Sequence, residues 1–219
     1  VRGGGPFDAD PRVQGLASGL AGDPNGSPAN GDVAARLTNY TDLVKLGMAG
    51  NLASYRFRST AGGEVSGRDV TYNGSPAGYA GGPADVITYV DAHDNETLFD
   101  SQTFKLPVGT SMADRVRMQK VALAPVLLGQ GQPFLHAGAE FLRSKSLDRN
   151  SYDSGDWFNR YDPSLRDNGF ARGLPPAADN EDKWPYAAPL LADSALKPSS
   201  ADMRAALDTL ELSPLHDGI

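Results

Sequence analysis

The sequence predicts an α/β fold built around a parallel pair of strands, and three observations carry that prediction. Val86-Ile87-Thr88-Tyr89-Val90 is a continuous β-branched and aromatic run, the pattern of a strand covered on both faces in a parallel sheet. A shorter apolar run follows at Pro133-Phe134-Leu135-His136-Ala137. Between the two lies a helical pattern, and strand, helix, strand over roughly fifty residues is a crossover that makes the strands parallel neighbours.

The crossover helix runs from Met112 to Leu128. Ser111 is its N-cap, with Asp114 in the place of the usual capping-box Glu. Met112, Val116, Leu123 and Leu127 give its apolar stripe, Pro125 bends it, and Gly129 and Gly131 end it. Asp91 to Gly109 reads as a polar loop. An earlier helix spans about Asp32 to Leu46, where Val33, Leu37, Tyr40 and Val44 share one side and Asp32 caps.

Turn chemistry fills the first thirty residues, from Gly3-Gly4-Gly5-Pro6 to Asn30-Gly31. Leu52 to Phe57 reads as a short extended piece, and Tyr72-Asn73-Gly74-Ser75-Pro76 as a turn. Arg143 to Pro198 is polar and studded with aromatics, without periodicity. A connection of that length is functional or separately organised. Ser200 then caps a last helix in which Met203, Leu207 and Leu210 are spaced for burial.

At 219 residues the chain is read as one domain with no second. The net charge of −7 excludes nucleic acid and anionic membranes as partners. No apolar run approaches the length of a membrane span. The absence of cysteine removes disulfide and thiolate chemistry. Localisation is not legible.

In parallel α/β architectures, ligands bind at the carboxyl ends of strands. There the first strand delivers His93, Asp94 and Asn95 in succession. An imidazole donor beside a carboxylate suits adjacent sugar hydroxyls, and a fixed carboxylate offsets positive charge developing at an anomeric carbon. The same triplet also suits turns and helix caps.

The segment Tyr89-Val90-Asp91-Ala92-His93-Asp94-Asn95-Glu96-Thr97-Leu98-Phe99-Asp100 resembles the seventh-strand region of pullulanases and limit dextrinases of the α-amylase superfamily. Gly131 to Arg143 is similar to their eighth strand, and Leu147-Asp148-Arg149-Asn150-Ser151-Tyr152-Asp153-Ser154-Gly155-Asp156-Trp157-Phe158-Asn159 to the loop after it. Tyr72 to Tyr79 and Gly173 to Asn180 also look pullulanase-like, and the matches run in family order.

That resemblance implies the C-terminal portion of a (β/α)8 TIM barrel, about strands 7 and 8 with helices 6 to 8, incomplete as it stands. It implies a retaining glycosidase acting on α-1,6-glucosidic bonds of an α-glucan substrate such as pullulan, amylopectin or limit dextrins. Of the family's three carboxyl groups, only the third maps here, onto Asp94, which favours the oxocarbenium-like state; His93 and Asn95 join it in binding the sugar. The nucleophile and the acid/base would come from an N-terminal part of the barrel, so the chain alone is expected to be inactive. A silent α-glucan-binding module and an isoamylase-like enzyme are the alternatives.

By the same resemblance Asp148, Arg149 and Asn150 reach the glucan on its non-reducing side, although Arg149 paired with nearby acids reads equally as an ordered loop. Trp157 and Phe158 are expected to plug that loop into the core. His136 reads as a satisfied structural histidine. No cofactor is implied; the acids between 148 and 156 leave calcium as a candidate, though an EF-hand spacing fails because Asp153 stands where Gly is needed.

Overall fold

A computed structural model describes residues 1–5 and 7–211, with side chains through 208. Its longest elements are the two helices that the sequence marks most clearly. α1 (Val33–Met48) starts where Asp32 accepts a hydrogen bond from the Ala35 N–H at 3.0 Å. Two small antiparallel hairpins follow: β1 (Arg56–Arg58) with β2 (Glu64–Ser66), and β3 (Thr71–Tyr72) with β4 (Ser75–Pro76). The second is closed by Asn73 and Gly74 at φ 49° and 79°, the left-handed pair that a tight two-residue hairpin turn requires.

β5 (Ile87–Thr88) then leads through α2 (Leu98–Lys105) and α3 (Met112–Leu128) to β6 (Gln132–Pro133). β5 and β6 pair in parallel, Ile87 opposite Gln132 and Thr88 opposite Pro133. α4 (Gly155–Asn159), α5 (Ala177–Asn180), α6 (Trp184–Ala192) and α7 (Ser200–Glu211) complete the chain's described part. The start of α7 is set one residue earlier than expected, by Ser199, whose hydroxyl accepts from the Asp202 N–H at 3.2 Å. Met203 is buried there, and the side chain of Leu210 lies outside the described residues.

α2 is the pivot of the core. Phe99 and Phe104 enter one apolar cluster with Val116, Leu142, Leu147 and Phe170, while Leu98 enters another with Val90, Leu123 and Val126. The Phe99 and Phe170 rings meet edge to face at 5.8 Å. All eight α2 residues are buried, so a segment read as polar loop is instead an interior helix. Several of its polar side chains bond within the protein: Gln102 Nε2 donates to the Ala17 carbonyl at 2.8 Å, and Thr103 Oγ1 to the Phe99 carbonyl at 2.9 Å.

The expected section of a (β/α)8 barrel is not what the chain forms. The described residues hold three separate two-stranded sheets and no barrel. The strand expected to be covered on both faces is covered on one: Val86 and Val90 are buried, while Ile87 and Tyr89 are 64% and 59% exposed. The second run is shorter still. Pro133 supplies no N–H to a ladder, the pairing stops after two residue pairs, and Phe134 and Leu135 turn outward. Among the described residues neither strand is flanked by a further one, so the β-branched run belongs to a sheet of only two strands. Leu127 is likewise exposed, and Ala122 and Val126 take its expected place on the buried side of α3.

Candidate functional site

The turn between β5 and α2 carries the candidate chemistry. Asp91 is buried, and its Oδ2 accepts from the Leu98 N–H at 3.0 Å, so the turn is closed across its own base. The same oxygen lies 3.3 Å from His136 Nδ1. With Nδ1–H donating to Asp91, Nε2 of His136 accepts from Arg143 at 3.4 Å. His136 is therefore a satisfied buried group. Thr97 caps α2 through its hydroxyl, which accepts from the Asp100 N–H at 3.1 Å.

Two lysines fasten the turn from below. Lys145 is 1% exposed and its Nζ donates to the His93 carbonyl at 2.9 Å. Lys183 Nζ lies 3.3 Å from Glu96 Oε1, both side chains being buried. Under Lys145 sits Asp100, fully buried, whose Oδ1 accepts from Ser144 Oγ at 2.5 Å and Oδ2 from the Lys145 N–H at 2.7 Å. Burial pushes the Asp100 carboxyl up to about 6, against those two hydrogen bonds. Burial likewise lowers the Lys145 ammonium, opposed by the charges of Asp100 and Asp148.

From this anchored base His93 and Asp94 project. His93 Nε2 stands 3.5 Å from Asp94 Oδ1, and the two side chains are 83% and 74% exposed. Asn95, half-buried, takes a left-handed backbone at φ 63° that turns the chain back toward α2. An exposed imidazole and carboxylate on a fixed turn are free to receive polar groups of a ligand.

The second group of expected residues is placed differently. Asp148 is wholly buried: its carboxylate accepts from the Asn150 N–H at 2.9 Å, Asn180 Nδ2 at 3.1 Å and Ser154 Oγ at 2.6 Å. Arg149 bonds the Asp179 carbonyl, lies over the Phe7 ring at 4.9 Å, and approaches Asp179 Oδ1 at 3.9 Å. Asn150 Nδ2 donates to Asp179 Oδ2 at 2.8 Å. This loop is thus built around Asp179 and Asn180, two residues at the end of α5.

Trp157 was expected in the core and is 64% exposed instead. Its indole N–H donates to the Arg172 carbonyl at 2.8 Å, and the Arg172 guanidinium covers one ring face at 5.6 Å. That partnership holds the ring at the surface. Among the described residues no group of three or more His, Asp or Glu is arranged to hold a metal ion.

A cavity of about 1310 Å³ does not coincide with this turn. Tyr40, Val44, Met48, Tyr89 and Val126 line it, while His93 and Asp94 do not. Its acids include Asp10, whose carboxyl the Arg12 guanidinium lowers to about 2. The lining mixes apolar residues with Asp8, Asn30 and Arg36, whereas the turn pairs an exposed imidazole with a carboxylate, and the turn is the candidate for chemistry.

Comparison with known proteins agrees with the quoted motifs. The pullulanase of Klebsiella pneumoniae is 48% identical over 183 residues, 82% of this chain and 17% of that protein. This chain is similar to one segment of pullulanases. The chloroplastic pullulanase 1 of Arabidopsis thaliana is 44% identical over 94% of this chain and 22% of its own length. The crystal structure of apo pullulanase from K. pneumoniae matches with a TM-score of 0.90 at 40% identity, covering 99% of this chain and 24% of that one. The K. pneumoniae pullulanase complexed with maltotriose matches at 0.88 and 41% identity, over 94% and 20%. Residues 165–212 match the family described as alpha-1,6-glucosidases, pullulanase-type, C-terminal. The chain therefore spans about one fifth of the length of the curated relatives it matches.

Sequence reasoning singled out His93, Asp94 and Asn95, which the structure places together on the turn, and missed what holds them. Lys145 and Ser144 stood in a stretch without periodicity, and nothing local marks a lysine for burial. Asp91 and Asp100 stood within the quoted motif, as neighbours rather than as anchors.

Proposed function

We propose that this chain acts within a starch-debranching glycoside hydrolase that cleaves α-1,6-glucosidic bonds of α-glucans with retention. The observation that carries the reading is the exposed His93–Asp94 pair, set on a turn that Asp91 closes and Lys145 fastens. Asp94 accepts hydrogen bonds from hydroxyls of the sugar at the cleavage point, and its negative charge favours the oxocarbenium-like state. His93 donates to the same sugar from its ring nitrogen. Asn95 contributes a further donor and acceptor at the turn's edge.

Retaining hydrolysis needs a nucleophile and an acid/base about 5–5.5 Å apart. Asp94 is neither, and the family motifs for the two are not in this sequence. The proposal assigns both to polypeptide outside the chain, and assigns Asp148 to shaping the loop that presents Arg149 and Asn150. The likeness to a pullulanase complexed with maltotriose supports an α-glucan as the ligand.

A chimera tests the assignment. The matching segment of the K. pneumoniae pullulanase is replaced by this chain, and release of reducing ends from pullulan is measured. The expected result is an active chimera whose kcat falls by about 10²-fold or more with Asp94→Asn, the size seen when one charge-stabilising group is lost. An active chimera indifferent to Asp94→Asn contradicts the assignment. The purified chain by itself is expected to release no reducing sugar; release that Asp94→Asn abolishes would overturn the division of carboxylates.

A further inference from the structure

Lys145 is the largest fully buried side chain of the described residues, and a lysine is seldom buried without a task. Burial lowers its ammonium, and the charges of the buried Asp100 and Asp148 oppose that effect. Its described hydrogen bond runs to the His93 carbonyl at 2.9 Å, in the exposed triplet itself. Its own backbone is fixed through the Asp100 carboxylate, and Asp100 lies in α2, the element that the turn feeds.

We propose that Lys145 is a positioning residue, which locks the His93 carbonyl and so sets the direction in which His93 and Asp94 project. Asp91 and Thr97 fix the two ends of the turn, while His93, Asp94 and Asn95 between them carry exposed or half-exposed side chains that touch little else. One carbonyl in that span is tied to the interior by a charged donor, and a bond from a charged donor in a buried setting is strong and short. That the positioned groups meet a sugar rests on the proposed function; that they are positioned does not.

Backbone ¹⁵N relaxation on the purified chain reads this directly. In the wild type, order parameters at His93, Asp94 and Asn95 should match rigid backbone, about 0.85. Lys145→Met should drop them below about 0.6, while α3 and the helical amides of α2 keep their values and circular dichroism keeps its shape. Lys145→Arg, which retains a charged donor, should restore part of the order. Unchanged order at 93–95 in a folded Lys145→Met protein overturns the proposal. If Lys145→Met does not fold, the wild type decides: a scalar coupling between Lys145 Nζ and the His93 carbonyl carbon supports the lock, and its absence refutes it. In the chimera, Lys145→Met should lower kcat about tenfold or more with less change in KM, as loss of orientation does. A chimera that never hydrolyses pullulan while the order parameters behave as stated defeats the sugar reading and leaves the lock standing.

Discussion

Asp100 is the residue whose environment has the clearest consequence in solution. Its carboxyl is raised from 3.8 to about 6 by complete burial, so the folded protein holds this proton more tightly than the unfolded chain. Stability contributed by that proton is fully present below pH ~4 and is lost as pH rises through about 6. Asp10 acts oppositely, being lowered to about 2 by Arg12, and its contribution is lost only in strong acid. The difference in melting temperature between wild type and Asp100→Asn should therefore shift between pH 4 and 6.5 in favour of the variant, and stay flat above. A flat difference across the whole window would mean that Asp100 ionises normally. The exposed triplet was legible because a strand end, an acid and an imidazole coincide in sequence. Lys145 was not, because its hydrogen-bond partners, the His93 carbonyl and the Asp100 carboxylate, lie 52 and 45 residues before it.

Among elements, α1 and α3 were legible to within two residues since each has a side-chain cap and a patterned apolar face. α2 was hidden by its own burial: a helix covered all round has no polar side, and the 3.6-residue pattern that reveals a surface helix vanishes. The sign that was available is Thr97 three residues before Asp100, a capping pair. Thr97→Ala should cost about 1 kcal/mol in denaturant unfolding; no measurable loss would mean that packing alone sets the start of α2. Gly78 shows a second constraint that pattern cannot reveal. A Cβ there would stand 2.3 Å from the Gly67 carbonyl carbon, backbone against backbone. Gly78→Ala should destabilise by about 1–3 kcal/mol and disturb amide shifts around Gly67 and Ala77; a wild-type unfolding midpoint would show that the two segments separate freely.

For the whole molecule, the family resemblance implied part of a barrel, and the described residues form three small two-stranded sheets instead. The parallel neighbours and their crossover were legible, since they follow from local pattern and chain length. The extent of the sheet was not, because it depends on strands being flanked, and no run within the sequence states what flanks it. The same reasoning governs function. One carboxylate with its imidazole neighbour is held out on an anchored turn, and the proposed retaining reaction requires two more carboxyls. Pullulan hydrolysis by the chimera is therefore the most direct measurement: the account predicts turnover with Asp94 and a fall of about 10²-fold or more in kcat with Asp94→Asn. Equal turnover by both proteins would contradict it.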